Sequence, residues 1–297
     1  MRIVVTGRQG QVVSALVARP QGHEIIALGR PELDLEHPET IRPALVDSRP
    51  DVIVSSAAYT AVDKAETEPS LAFSVNAGGP RTIAAVAADM GIPIIHLSTD
   101  YVFNGRSTLA YVETDQTDPL GVYGSSKLQG EASVAAATEN HAILRTAWVY
   151  SPYGANFVKT MLRLAQTRDE IRVVADQVGN PTSALDIADA VIAVAKNLKE
   201  REKDASLRGI FHMTGTGSTS WASFASKIFE VSAAMGGPTS RVVEIPSTEY
   251  PTPAPRPANS RLNCQKLRDT HGLTLPNWET SLEVVMQQLV PSVSQNV

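Results

Sequence analysis

Short apolar segments alternate with helix-like segments over the first half of the chain, and this alternation constrains the fold more than any other feature. The apolar segments cover residues 2–7, 23–29, 51–58, 92–99 and 141–149. Most of them are almost continuously apolar, which is typical of parallel strands that are covered on both faces. The chain is therefore predicted to be an α/β protein with a doubly wound parallel sheet of the Rossmann type.

The second half of the chain has a different pattern. Five prolines between residues 246 and 258 exclude a regular helix or a central strand there. We predict a sheet domain in residues 1–150 and a smaller C-terminal α/β lobe in residues 151–297. Their boundary is expected to be interleaved, because the predicted helix near residues 185–199 can return to the sheet.

Composition and charge exclude several classes of protein. The net charge of −5 disfavours a broad surface for nucleic acid. The sequence has neither an apolar run of about 18 residues, as a membrane span needs, nor a signal-peptide pattern. Its lone cysteine, Cys264, fits a reducing compartment, so we expect a cytoplasmic protein without nucleic-acid or membrane partners.

A glycine-containing turn follows the first predicted strand. Gly7 and Gly10 allow the backbone to approach a pyrophosphate, which then lies at a helix N-terminus. Val13 occupies the place where a third glycine is expected, and a plain β–α turn is the alternative interpretation. The turn favours a dinucleotide site in the first domain, with the second lobe left to bind substrate.

The residues after the second strand leave the choice of dinucleotide open. An acidic residue here favours the ribose 2′-hydroxyl of NADH, whereas an arginine favours the 2′-phosphate of NADPH. The sequence has both, in Asp34 and Arg30. Either cofactor is therefore compatible with this segment.

Tyr123 and Lys127 are four residues apart in a predicted helix, so their side chains share one face. An ammonium near a phenol is expected to lower the tyrosine pKa and to make the tyrosine useful for proton transfer. Two solvated side chains are the alternative, but the fourth strand ends at Thr99, one loop earlier. Because ligands bind beyond the carboxyl ends of such strands, the three side chains are expected to meet beside the cofactor.

Several motifs together resemble the dTDP-4-dehydrorhamnose reductase family of extended short-chain dehydrogenases/reductases. They are spread over residues 7–263: GRQGQV, PDVIVSSAAYTAVDKAE, LSTDYVFNG, VYGSSKLQGE, LRTAWVY, NFVKTML, DQVGNPT and RPANSRLN. The resemblance implies an enzyme that uses NADPH or NADH to reduce the C4 keto group of dTDP-4-dehydro-L-rhamnose to dTDP-L-rhamnose. Alternatives are a reductase or epimerase of another nucleotide 4-keto-6-deoxy sugar, or a non-catalytic regulator resembling the regulatory subunit of methionine adenosyltransferase.

The resemblance also implies roles for individual residues. Tyr123 would donate a proton to the keto oxygen, Lys127 would hold the nicotinamide ribose, and Thr99 would hydrogen-bond the reacting oxygen. The residues expected to bind the cofactor are Gly7, Gly10, Gln11, Val12, Arg30, Asp34, Leu35, Ala57, Ala58, Tyr59, Tyr123 and Lys127. The residues expected to bind the sugar nucleotide are Thr99, Asp100, Trp148, Asn156 and Arg256.

No catalytic metal is expected, because the histidines and Cys264 have no ligand spacing. Some members of the family are associated with Mg²⁺ at a dimer contact through carboxylates. The first predicted helix has no carboxylate, which disfavours that metal here, although a homodimer is compatible with the resemblance. His96 lies within a predicted strand and is expected to be a packed core residue.

Overall fold

A computed structural model describes residues 1–290 of the protein. Its strands are β1 Arg2–Thr6, β2 Glu24–Leu28, β3 Val52–Ser55, β4 Ile94–Thr99, β5 His141–Thr146, β6 Val149–Tyr150, β7 Glu170–Val174, β8 Val178–Gly179, β9 Thr182–Ser183, β10 Gly209–His212, β11 Thr219–Ser220 and β12 Arg241–Ile245. Its α-helices are α1 Gln11–Ala18, α2 Pro38–Ser48, α3 Val62–Ala65, α4 Pro69–Phe73, α5 Gly79–Met90, α6 Val122–Ala137, α7 Phe157–Ala165, α8 Ala184–Glu200, α9 Trp221–Ala234, α10 Gln265–His271 and α11 Trp278–Leu289.

The central sheet has six strands in the order β10-β5-β4-β3-β1-β2. All of its neighbouring strands are parallel, as predicted for a doubly wound fold. Strand β2 lies on one side of β1, whereas β3, β4 and β5 follow one another on the other side. The strand order therefore reverses between β1 and β3. A ligand crevice forms at the carboxyl ends of the strands where such a reversal occurs.

The strands are almost continuously apolar because each face of the sheet has its own core. Ile3 and Val5 of β1 belong to one core, whereas Val4 between them belongs to the other. The second core contains residues of α2, α5 and α6. The first contains residues of α1 and α8 and continues into the C-terminal helices through buried side chains such as Phe224 and Leu282.

Two elements of the second half of the chain lie against the sheet. Helix α8 packs beside α1, where the sequence predicted a helix that can return to the sheet. Strand β10 pairs with β5, with Phe211 opposite Leu144, and forms one edge of the sheet. The division into residues 1–150 and 151–297 stays a prediction, and residues 291–297 lie outside the described part of the chain.

Proline and glycine act differently at two predicted helices. Pro43 lies inside α2, so it weakens this helix without preventing it. Gly91 ends α5 in the left-handed conformation with a φ of 66°, as predicted. Between α4 and α5, residues Ser74–Gly78 form a π-helical turn instead of continuing one regular helix.

Within residues 1–290, every helix is too short or too polar to cross a bilayer.

A buried ion pair joins α6 to the sheet. Glu131 of α6 accepts two hydrogen bonds from Arg145 of β5, at 2.9 Å from Nε and 2.7 Å from Nη2. Ser98 of β4 donates a third bond to the same carboxylate. The two charged side chains are only 2% and 3% exposed, so each needs the other to offset the loss of its hydration. The pair therefore fixes the position of α6 on β4 and β5.

Replacement of Arg145 by Met should lower the free energy of unfolding by about 3–5 kcal/mol, because it leaves a buried carboxylate without its cation. The double variant Arg145→Met/Glu131→Met should recover much of that loss, because it leaves no buried charge. Urea unfolding measures both effects. Arg241→Met is the matched control, because Arg241 pairs with Glu170 at an exposed site and should cost far less. If Arg145→Met lowered the free energy of unfolding no more than Arg241→Met does, this account of the buried pair would be contradicted.

Candidate active site

The glycine turn after β1 forms the floor of a cleft. Gly7 has a φ of 105°, a conformation that suits glycine. A Cβ at Gly7 would lie 3.2 Å from Val13 Cγ2, so the valine in the place of a third glycine packs directly beneath the turn. Gly10 precedes the first residue of α1, whose N-terminal amides are available to an anion.

A cleft of about 350 Å³ lies above this turn. It is lined by Gly7, Arg8, Gln9, Gly29, Arg30, Leu33, Leu35, Ala57, Ala58 and Val75. Five of these were predicted to bind the cofactor: Gly7, Arg30, Leu35, Ala57 and Ala58. The sequence interpretation missed the other five, although Arg8 and Gln9 lie between the two glycines of the motif and could have been inferred from it.

Arg30 and Asp34 interact with each other at the end of this cleft. Arg30 Nε lies 3.5 Å from Asp34 Oδ1, and Arg30 Nη2 lies 3.2 Å from Glu36 Oε1. Asp34 also accepts a bond from the backbone N–H of Glu36 at 3.0 Å. Arg30 lines the cleft and its side chain is 69% exposed, whereas Asp34 is not among the lining residues.

Gln11 and Asn156 contact each other. Asn156 Nδ2 donates to Gln11 Oε1 at 3.0 Å and to the Ser151 carbonyl at 2.8 Å. Asn156 also caps α7 by accepting from the backbone N–H of Lys159. These bonds give Asn156 a structural role that links α1 to α7. Val12 is buried in the sheet core rather than exposed in the cleft.

Tyr59 is held by two side chains. Its backbone N–H donates to Asn76 Oδ1 at 2.8 Å, and its phenol donates to Glu68, a bond that raises the pKa of Tyr59 to about 12. Asn76 is fully buried and also donates to Ser126 Oγ of α6 at 2.9 Å. It therefore joins the cofactor-side loop to the tyrosine helix, a contact that no local sequence pattern indicates.

Tyr123 and Lys127 lie in the first turns of α6, as predicted. Lys127 is buried, and its Nζ donates to the Leu97 carbonyl of β4 at 2.6 Å. Burial raises the pKa of Tyr123 to about 12 and lowers the pKa of Lys127 to about 8. The expectation that the ammonium lowers the tyrosine pKa is therefore wrong for this arrangement, because desolvation of the phenol dominates.

Thr99 and Asp100 lie at the carboxyl end of β4. The Thr99 hydroxyl donates to Asp100 Oδ1 at 3.0 Å and accepts from the backbone N–H of Tyr101 at 3.2 Å. The Thr99 hydroxyl also lies near the phenol of Tyr123, where it partly offsets the effect of burial on the pKa of that phenol. Asp100 is only 2% exposed, and burial raises its pKa to about 6. The predicted hydroxyl and phenol thus converge, but the neighbouring carboxylate is covered.

Trp148 is enclosed by other aromatic and small residues. Its φ of 47° is unusual for a bulky residue, and its ring stacks on Trp221 with 3.6 Å between ring centroids. Its Nε1 donates to Ser260 Oγ at 3.2 Å. The Phe157 ring packs on the Trp221 ring, with 4.6 Å between the ring centroids. Trp221, which comes from α9, was missed because its contact with Trp148 joins two residues that are far apart in the sequence.

Arg256 lies near the tyrosines but is already paired. Its Nη2 lies 2.9 Å from Asp63 Oδ1, and its guanidinium carbon is 6.0 Å from the centre of the Tyr101 ring. The Tyr101 ring meets the Tyr123 ring edge-on, with 5.6 Å between centroids. To bind a substrate diphosphate, Arg256 would have to give up its ion pair with the Asp63 carboxylate.

Among residues 1–290, His, Cys, Asp and Glu side chains form no group of three that could hold a metal ion.

Comparisons with known proteins match the whole described chain. The family model "RmlD substrate binding domain" matches residues 1–290. A dTDP-4-dehydrorhamnose reductase of Sinorhizobium fredii is 55% identical over 282 residues, which cover 95% of each chain. The chain belongs to this family.

Solved structures of family members agree with this assignment. A dTDP-4-dehydrorhamnose reductase from Clostridium acetobutylicum superimposes with a TM-score of 0.89 at 37% identity, covering 97% of this chain and 99% of that one. The enzyme from Bacillus anthracis, solved in complex with NADP, gives a TM-score of 0.88 at 35% identity, covering 96% and 98%. The predicted family and fold class are confirmed, whereas the roles of the individual residues stay predictions.

Gly179 controls the position of Trp148. A Cβ at residue 179 would lie 2.5 Å from Trp148 Cε2 and 2.8 Å from Ser260 Oγ, so Gly179→Ala should displace the indole. We expect a change in tryptophan fluorescence and a rise in KM for the sugar nucleotide, with a smaller effect on cofactor affinity. Gly78→Ala is the control, because a Cβ there meets no atom within 4 Å. Unchanged fluorescence and KM in Gly179→Ala would show that the ring is not confined.

Proposed function

We propose that the protein reduces the C4 keto group of dTDP-4-dehydro-L-rhamnose to give dTDP-L-rhamnose, with NAD(P)H as the reductant. The observation that carries this proposal is that Tyr123 lies near Thr99 at the carboxyl end of β4 and that Lys127 is bonded to the same strand. This strand belongs to the sheet whose β1 leads into the glycine-lined cleft. Membership of the reductase family, with a relative 55% identical over nearly the full length, supports the choice of substrate.

Tyr123 acts in this proposal as the proton donor. Its pKa of about 12 keeps the phenol neutral near physiological pH, so it has a proton to give to the ketone oxygen. Lys127, with a pKa of about 8, is mainly protonated near pH 7, and its ammonium would hold the nicotinamide ribose from the same face of α6 as Tyr123. NAD(P)H held at the glycine turn of Gly7 and Gly10 would supply the hydride to the carbonyl carbon. The substrate carbonyl thus gains one hydride and one proton and becomes a secondary alcohol.

The cleft fits a dinucleotide. The open space above Gly7 and the start of α1 suits a pyrophosphate, and the buried Leu33 and Leu35 offer apolar contacts for an adenine. Gln11, Val12 and Tyr59 fit less directly, because they are engaged with other parts of the chain. We propose that the cleft favours NADPH over NADH, because two arginines line it while Asp34 does not.

The remaining parts of the proposal concern the whole molecule. Residues 1–150 would provide most of the cofactor site, and residues 151–297 would provide most of the contacts to the dTDP-sugar. The lone Cys264 and a biosynthetic reductase activity favour the cytoplasm. A homodimer remains a prediction, which light scattering of the purified protein can test.

Tyr123→Phe should lower kcat by about 10²–10⁴-fold while leaving the affinity for NADPH nearly unchanged, because the hydroxyl is needed mainly in the transition state. NADPH oxidation with enzymatically generated dTDP-4-dehydrorhamnose measures turnover, and cofactor fluorescence measures binding. Tyr250→Phe is the control, because Tyr250 is 61% exposed in the proline-rich segment. Loss of cofactor binding with preserved turnover would contradict the assigned role.

The same assay separates the alternative functions. A regulator would bind NADPH tightly but leave the wild-type rate of oxidation at background. An epimerase would isomerise its substrate without net oxidation of NADPH. A reductase of another sugar would oxidise NADPH only when that sugar nucleotide replaces dTDP-4-dehydrorhamnose.

Arg30→Ala should weaken NADPH binding roughly tenfold and change NADH binding much less, because an exposed arginine makes a charge-assisted bond only to the 2′-phosphate. Titration of nicotinamide fluorescence with both cofactors measures the difference. Arg42→Ala on α2 is the control, because Arg42 pairs with Asp89 and does not line the cleft. Equal losses of NADPH and NADH affinity would contradict a contact between Arg30 and the phosphate.

A further inference from the structure

Asp100 is a buried carboxyl group with unusual surroundings. Its Oδ1 contacts the Thr99 hydroxyl, whereas its Oδ2 is buried without a hydrogen-bond partner. Within residues 1–290, no Lys, Arg or His forms an ion pair with it. Burial of a carboxylate without a cation and with an unsatisfied oxygen is costly, so the surroundings favour the neutral acid. This carboxyl group differs in both respects from Glu131, which is matched by Arg145.

The charged and titratable groups around Asp100 come from three segments. Tyr101 follows it in the chain, and Tyr123 faces it from α6. Beyond the Tyr101 ring lies Arg256, which is already paired with Asp63. The two phenols are neutral in the acid-to-neutral range, because burial raises the pKa of both. Asp100 is therefore the group of this set that can change charge near neutral pH.

The charge of Asp100 decides where the Thr99 proton points, because a threonine hydroxyl has one proton to donate. When Asp100 is ionised, Thr99 must donate to Oδ1, so it can act toward the nearby Tyr123 phenol only as an acceptor. The phenol proton is then drawn toward Thr99 and away from a ketone. When Asp100 is neutral, its own O–H can donate to Thr99 across the same 3.0 Å contact. The Thr99 hydroxyl is then free to donate to the ketone oxygen, together with Tyr123.

We propose that Asp100 is a positioning residue that acts through Thr99: its neutral form turns the Thr99 hydroxyl toward the substrate carbonyl, and its ionised form turns it away. This inference rests on the proposed reductase function. It also changes the role that the family resemblance implies for Asp100, because a side chain 2% exposed acts on the substrate through its neighbour instead of by contact.

The pH dependence of kcat tests the proposal. In the wild-type protein, kcat should fall between about pH 5.5 and about pH 7.5, approaching tenfold per pH unit above the apparent pKa, while KM for the sugar nucleotide changes little. In Asp100→Asn the amide donates permanently to Thr99, so the ratio of kcat at the two pH values should be close to one. A later decline near pH 8 should remain in both proteins, because it reports Lys127.

Two further variants separate this role from a structural one. Thr99→Ser keeps the hydroxyl and should keep the decline of kcat with pH. In a Thr99→Val background, adding Asp100→Asn should no longer change the ratio of kcat at the two pH values. Asp118→Asn is the control for a lost carboxylate, because Asp118 is exposed and bonded to Asn104. A wild-type kcat that is constant over this range, or a decline that persists in Asp100→Asn, would overturn the inference while leaving the reductase function intact. A wild-type protein without NADPH oxidation at any pH would overturn both.

Thermal unfolding gives a readout that does not need turnover. The pKa of Asp100 is about 6 in the folded protein, above the ordinary value of 3.8, so the folded state binds more protons between these values and loses stability as pH rises through them. Asp100→Asn should therefore have a higher Tm than the wild type near neutral pH, and the difference should shrink toward pH 4. If the Tm difference between Asp100→Asn and the wild type were the same at both pH values, ionisation of Asp100 would not be what destabilises the folded protein near neutral pH.

Discussion

The position of α6 on the central sheet is the constraint on which the candidate site depends. Tyr123, Lys127 and Glu131 follow one another at intervals of four residues, so they project from one face of the helix. Glu131 is bound to Arg145 of β5, and Lys127 is bound to a backbone carbonyl of β4. These are the same strands whose carboxyl ends carry the site. The place of the phenol beside Thr99 is thus set by bonds one and two helical turns further along α6.

The burial that anchors the helix also sets the protonation of its side chains. Desolvation disfavours every charged form, so it raises the pKa of Tyr123 and lowers that of Lys127. At neutral pH these shifts leave the phenol neutral, as a proton donor must be, and leave Lys127 on the same helix face mainly protonated. His96 is affected in the same way, because burial and the charge of Lys127 both lower its pKa well below the ordinary value. It is a neutral core residue bonded to Ser55.

Local patterns in the sequence predicted the parts of the molecule that depend on neighbours along the chain. The apolar runs gave the five strands because both faces of the sheet are covered, and four-residue spacing placed Tyr123 and Lys127 on one face. The contacts of Asn76, Trp221 and strand β10 are different, because each joins segments far apart in sequence. The pKa of Tyr123 was predicted in the wrong direction for a similar reason, since desolvation depends on everything that packs around the phenol.

Two buried carboxyl groups contact consecutive residues of β4, and only one of them has a cationic partner within residues 1–290. Ser98 donates to Glu131 on the side of α6, where Arg145 supplies a matching charge. Thr99 donates to Asp100 at the end of the strand, where no cation is paired with it within residues 1–290. A matched pair can only hold structure in place, because changing either charge is costly. An unmatched acid beside the reacting position can change its charge, and with it the direction of the hydrogen bond that it shares with Thr99.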